Sequence, residues 1–155
     1  MDSSARITSG DLDQALKYSR KHSVLHFTYG PSLSIARHTD ARTMQYLGED
    51  VCKFRHFGEI EAGFVLYYFD DVTKTVVDVW GACALDRNCI APPRAKYYCN
   101  PMVNTDGQCH RFDQSVLSII LRRLFHKCND NPIIEHPMGI HEIRRGERVS
   151  FFPRK

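Results

Sequence analysis

The 155-residue chain is long enough for one domain with a real core and too short for two ordinary ones. Hydrophobic content of 43% and charged content of 25% exclude wholesale disorder, and no apolar run of about 18 residues is present to cross a bilayer. The net charge of +3 is scattered, apart from a basic C-terminal stretch of Arg144, Arg145, Arg148, Arg154 and Lys155, which argues against a dedicated nucleic-acid binder.

The opening stretch, MDSSARITSGDLDQ, lacks the apolar centre of a signal peptide. Ser9 or Asp11 is placed to cap a first helix from Leu12 to about Lys21, with Leu12, Ala15, Leu16 and Ser19 turned inward. VLHFTY, residues 24–29, is β-branched and aromatic and predicts a strand ended by Gly30-Pro31. LSIA, residues 33–36, predicts a second short strand. Thr39 and Asp40 are placed to cap a short helix from Ala41 to Leu47 that Gly48 stops.

Ile60, Phe64, Val65 and Tyr68 fit one helical face over residues 59–69. Asp70-Asp71 then caps another helix, in which Val72, Val76, Val79, Trp80 and Cys83 recur at three and four. Valines favour strands, but the period is helical and decides the expectation. Residues 87–110 predict a loop carrying Pro92, Pro93, Pro101 and Gly107. A structureless run of about 20 residues inside a compact domain is either stapled or functional. Asp113 begins the longest helix, to about Lys127, with Val116, Leu117, Ile120, Leu121 and Leu124 inward and Cys128, Asn129 and Pro132 ending it. The tail, with Ile140, Ile143 and VSFF, predicts one or two further strands.

Six cysteines stand at 52, 83, 89, 99, 109 and 128. The four that crowd together, Cys83, Cys89, Cys99 and Cys109, are separated by five, nine and nine residues. Those gaps suit disulfides better than the tight pairs of a zinc site, although free buried thiols and a metal remain open, and the pairing cannot be chosen from sequence. Disulfides imply a lumenal or extracellular home.

The stretch CHRFDQS, residues 109–115, packs reactive groups at the mouth of the longest helix. A helix N-terminus offers unpaired N–H groups and about half a positive charge. On the plain reading, Asp113 caps the helix, with Gln114 and Ser115 in its first turn, and His110 is a loop histidine. On the functional reading, the same position holds a carboxylate rigidly at a cleft edge, able to bind or deprotonate a sugar hydroxyl. His38 and Thr39 read as helix caps, and Trp80 as core rather than as a sugar platform. His141 is a weak candidate for a late metal ligand, because a metal needs several ligands together.

Several stretches, in order, resemble a family of animal GT-A-type nucleotide-diphospho-sugar glycosyltransferase-like proteins of the secretory pathway. They are DSSARI, SIARHTDARTMQYL, WGACALDRNCIAPP and, above all, CHRFDQSVLSIIL, covering most of residues 2–121. The resemblance implies an α/β fold, a partial GT-A-like mixed sheet flanked by helices, with a cysteine-rich loop. It implies transfer of a sugar from a nucleotide-sugar donor to a glycan or protein acceptor in the Golgi lumen or elsewhere in the secretory pathway. Asp113 and Gln114 match a D-Q pair at a helix start and become the catalytic candidates. His110, Arg111 and Arg145 become the substrate-binding candidates, with Arg144 beside the last of them. Asp2 and Ser4 fall where the family's acidic motif would hold Mn²⁺ or Mg²⁺; Ser4 replaces the second carboxylate of the usual D-x-D pattern.

The same resemblance makes residues 1–155 a single domain that looks like the C-terminal, acceptor-side part of a transferase. Without the strands that would cradle the nucleobase, weak or no activity is the expectation. The alternative expectation is a non-catalytic, disulfide-stapled secreted or lumenal domain that binds carbohydrate or protein; a cytosolic protein with free thiols is the third.

Overall fold

The computed structural model describes residues 5–8, 12–28, 30–126, 133–134 and 139–144. The expected caps Ser9 and Asp11, the residues after the longest helix (Cys128, Asn129 and Pro132), and VSFF lie outside these described residues.

The centre is strand β2, Val24–Phe27, buried along its whole length. A strand buried on both faces puts alternate side chains into two cores. Leu25 and Phe27 meet helix α1, Leu12–His22, with Ala15, Phe64 and Ile140. Val24 meets the opposite layer, helices α3, Asp71–Ala84, and α5, Phe112–Phe125. Strand β3, Leu66–Tyr67, pairs with β2 antiparallel and β4, Ile133–Ile134, pairs with it parallel. A separate antiparallel pair joins β1, Ala5–Ile7, to β5, His141–Ile143, setting Ala5 opposite Ile143 and Ile7 opposite His141. The architecture is therefore mixed α/β, small sheets flanked by helices, with two disulfides among the described residues.

Helix α5 is buried on two sides. Val116, Leu117, Ile120 and Leu121 enter the β2 core, while Ile119 joins a second core with Ile35, Ala36, Met44 and Phe54. Each fully buried aliphatic side chain contributes about 1.5–3 kcal/mol, so this helix is the main anchor of the domain. Leu124 stands outside both cores and is half exposed.

Helix α1 runs as expected, but Leu16 faces solvent and Tyr18 replaces it on the inner face. Helix α2, Ala41–Tyr46, is capped by the side chain of Asp40, which accepts from Arg42 N–H at 2.9 Å. Asp70 caps α3 by accepting from Thr73 N–H at 2.9 Å. Only Thr73, Val76 and Cys83 of α3 are buried, so its valine-rich stripe is narrower than the sequence suggests.

Two expectations fail. Residues 59–69 are not helical: Ile60 bridges Thr28, the chain bends at 62–64 and β3 follows within the segment, while Gly58 just before it bridges Ser34. Close approach decides this, since a Cβ on Gly58 would collide with the Gly30 carbonyl. LSIA is not a regular strand: Pro31–Leu33 form a 3-10 turn and Ser34 makes a single bridge. The expected loop at 87–110 holds, apart from one helical turn, α4, Arg87–Ile90. Bonds Cys83–Cys89 and Cys99–Cys109 staple it, and Cys52 is free and exposed. Two disulfides are consistent with a secreted or lumenal protein. Among the described residues, no helix is long and apolar enough to cross a membrane.

Candidate functional site

At the mouth of α5, the cap position falls on Arg111, whose side chain makes no capping hydrogen bond. Ser115 does the work from one turn inside: its Oγ accepts from Arg111 N–H at 3.0 Å and donates to the His38 carbonyl at 2.7 Å. The first helical residue, Phe112, has φ of +44°, a left-handed value. For a non-glycine residue this costs about 1–3 kcal/mol and persists only where the surroundings enforce it.

Asp113, expected at the cap, is therefore not spent there. It sits in the first turn, exposed, and among the described residues its carboxylate makes no hydrogen bond or ion pair. Its backbone carbonyl accepts from Trp80 Nε1–H at 3.1 Å. Trp80 is half-buried and packs against the β2 core, so it borders the helix mouth as well as the core. Gln114 is half-buried beside Asp113; its N–H donates to the Arg111 carbonyl and its carbonyl accepts from Ser118 Oγ.

The neighbouring candidates turn inward. Arg111 Nη1 lies 2.9 Å from Glu59 Oε1, and His38 Nδ1 lies 3.1 Å from Glu59 Oε2. The Glu59 side chain is 1% exposed. Neither contact is aligned as a hydrogen bond, so proximity of charge rather than directed bonding holds the carboxylate. Arg111 is thus the counter-ion of a buried glutamate, and about a third of it (34%) still faces solvent. His38 and Thr39, expected as helix caps, are buried instead, and Asp40 alone caps α2.

His110 is enclosed. Its Nε2–H donates to the Ile90 carbonyl at 2.9 Å, and its Nδ1 accepts from Asp40 N–H at 3.3 Å. Burial holds the ring below the ordinary histidine range. A neutral ring with both nitrogens committed to backbone joins three segments and has no free atom for a substrate.

Asp2, Ser4 and Arg145 lie outside the described residues. Arg144 pairs with Glu142 at the surface. His141 Nε2 lies 2.9 Å from Glu61 Oε1, its ring stacked on Phe64 with centroids 4.3 Å apart. Among the described residues, one group brings three metal-ligating residue side chains together: His38, Cys99 and Cys109, their ligand atoms within 4.8 Å of one another. Both sulfurs there are joined in a disulfide. A hard cation takes carboxylate and phosphate oxygens, so these residues are no seat for Mn²⁺ or Mg²⁺.

Sequence reasoning missed the buried polar groups that hold this region. Glu59 and Glu61 flank Ile60 on the bridged segment; alternation of this kind reads as a strand with its charges outward, so it gave no sign of their burial. Arg37 is buried without a carboxylate: it donates to the Ser32, Asn100 and Pro101 carbonyls at 3.0, 3.1 and 2.9 Å. Four concavities of about 190 to 520 Å³ open on described residues, and Asp113 lines none of these four.

No protein-family model, curated protein or solved structure matches this chain.

Proposed function

We propose that this chain is a glycosyltransferase-like protein, the acceptor-side part of a GT-A-like fold, that passes a sugar from a nucleotide-sugar donor to a glycan or protein acceptor in the Golgi lumen or elsewhere in the secretory pathway. The observation that carries the reading is the exposed, unpaired carboxylate of Asp113, fixed on the first turn of α5 and bordered by Trp80. A carboxylate there can accept a hydrogen bond from a sugar hydroxyl and take its proton. The hydroxyl oxygen then bonds to the donor's anomeric carbon while the bond from that carbon to the diphosphate oxygen breaks. Gln114 follows the carboxylate in the first turn, and Arg111 at the cap position is held on Glu59. A divalent cation, Mn²⁺ or Mg²⁺, would be held by Asp2 and Ser4 and would offset the charge of the leaving diphosphate.

A second reading, a non-catalytic disulfide-stapled secreted or lumenal domain that binds carbohydrate or protein, is favoured by one fact. The stapled loop lines a hollow, while Asp113 lines none of the four.

Release of nucleoside diphosphate from a panel of nucleotide sugars, with mono- and disaccharide acceptors, separates the two. Transfer predicts turnover that Asp113→Asn lowers by about 10²–10⁴-fold. Equal turnover in the variant removes Asp113 from the chemistry, and sugar binding that Asp113→Asn leaves unchanged, without turnover on any donor, favours the binding domain.

A further inference from the structure

Segments 34–40 and 106–113 run side by side. Gly107 N–H bonds the Ala36 carbonyl at 2.8 Å, Gln108 N–H that of Arg37 at 3.1 Å, and Arg111 N–H that of His38 at 3.2 Å. Asp113 stands at one end of this pairing. At the other end a hollow of about 460 Å³ opens between Pro31, Ser34, Arg55, Asn104, Thr105 and Asp106. That volume falls within the range of about 300–1,000 Å³ usual for small-ligand sites.

The loop that carries Asn104, Thr105 and Asp106 is fastened at its base and open at its tip. The Cys99–Cys109 bond closes it, and Arg37 grips the Asn100 and Pro101 carbonyls. The Gln108 side chain accepts from Asn100 N–H and donates to the Asn100 carbonyl, both at 3.1 Å. Fastening of this kind removes in advance the ordering cost that a flexible loop would meet on binding.

The lining selects the ligand. Arg55 Nε donates to Asp106 Oδ2 at 2.7 Å, so the single cation and the single anion neutralise each other and neither a phosphate nor an ammonium is favoured. Among the described residues, Asn104 and Thr105 make no side-chain hydrogen bond and are exposed, leaving an amide and a hydroxyl free. Ser34 Oγ accepts from Arg37 N–H at 3.2 Å. Side chains that both donate and accept, around a charge-neutral pair, match a neutral polyol, whose hydroxyls also do both.

We propose that this hollow is a carbohydrate-binding subsite for a neutral sugar unit, held open by the Cys99–Cys109 staple. It stands on its own residues and does not rest on transfer at Asp113.

The test is saturation-transfer NMR and calorimetry on the oxidised chain with lactose, chitobiose and mannobiose, and with UDP as the anionic probe. The expected result is binding of at least one disaccharide, weakened at least about tenfold by Asn104→Ala with Thr105→Val. Both loop positions are exposed, so the double variant keeps the fold; Asp106→Asn, which retains an acceptor for Arg55, gives a second check and is expected to weaken binding in the same direction. The proposal is overturned if no disaccharide binds, if only UDP binds, if the double variant binds as well as the parent, or if Asp113→Asn alone abolishes binding. The last outcome places the sugar at the helix mouth and supports the transferase reading instead.

Discussion

Helix α5 buries Ser115, Val116, Leu117, Ser118, Ile119, Ile120 and Leu121 in unbroken succession, because one core lies on each side of it. Residues 91–111 have no regular element and keep only a few side chains buried. The first region is held by apolar area summed over many contacts. The second is held by point fasteners: the Cys99–Cys109 disulfide, Arg37 on the Asn100 and Pro101 carbonyls, the enclosed His110, and Arg111 on Glu59. The contrast explains why polar groups are free at the loop tip and at the helix mouth. Where a few bonds fix the backbone, the remaining side chains are not needed for packing.

Leu117→Ala, in the two-sided core, should cost about 2–5 kcal/mol by urea denaturation, through lost burial and the cavity left behind. Replacing Cys99 and Cys109 by serine should cost less, about 2–3 kcal/mol, for a bond spanning a sequence separation of 10. If the double serine variant melts like the parent, the loop is held by its other bonds and the fastener account is too simple.

His26 gives the next effect. It is fully buried on β2, neither ring nitrogen has a hydrogen-bond partner among the described residues, and burial pushes it from 6.5 down to about 3. Its ring neighbour Tyr67 is pushed up to about 12, also by burial, and stays neutral. Between those two histidine values the unfolded chain binds a proton that the folded chain refuses. Stability therefore falls with falling pH, by up to about 1.4 kcal/mol per pH unit. His26→Leu should flatten that fall between about pH 6.5 and pH 5; an unchanged slope would mean that the acid loss originates elsewhere.

A smaller effect is expected at Asp40. Asp40→Ala removes the α2 cap and should cost about 1 kcal/mol. The Arg42 side-chain bond holds the Asp40 carboxyl below its usual value. This contribution is thus complete above the ordinary carboxylate value and lost as pH drops through the lowered one; a thermal melt series across that window checks it.

Legibility in the sequence followed the same division. Periodicity located α1, α3 and α5, because amphipathic burial writes itself into spacing. It misread residues 59–69, where Ile60, Phe64 and Tyr68 mimic a helical face. The deciding facts were tertiary: the close approach of Gly58 to Gly30 and the bridge from Ile60 to Thr28. The staples were expected from cysteine crowding, but their pairing was not readable. Glu59, Glu61 and Arg37 went unnoticed, since isolated charged residues look like surface until their partners, distant in sequence, are brought in. Asp113 was singled out correctly as a helix-mouth residue, yet its capping role passes to Ser115, which can reach both the Arg111 N–H and the His38 carbonyl.

The account turns on Asp113 being a carboxylate that the fold does not use. The direct test is Asp113→Asn, measured in parallel for thermal stability and for nucleotide-sugar turnover. The predicted result is stability within about 0.5 kcal/mol of the parent, as for a surface site, together with a loss of turnover. A clear drop in stability with turnover unchanged would make Asp113 a structural residue and contradict the account.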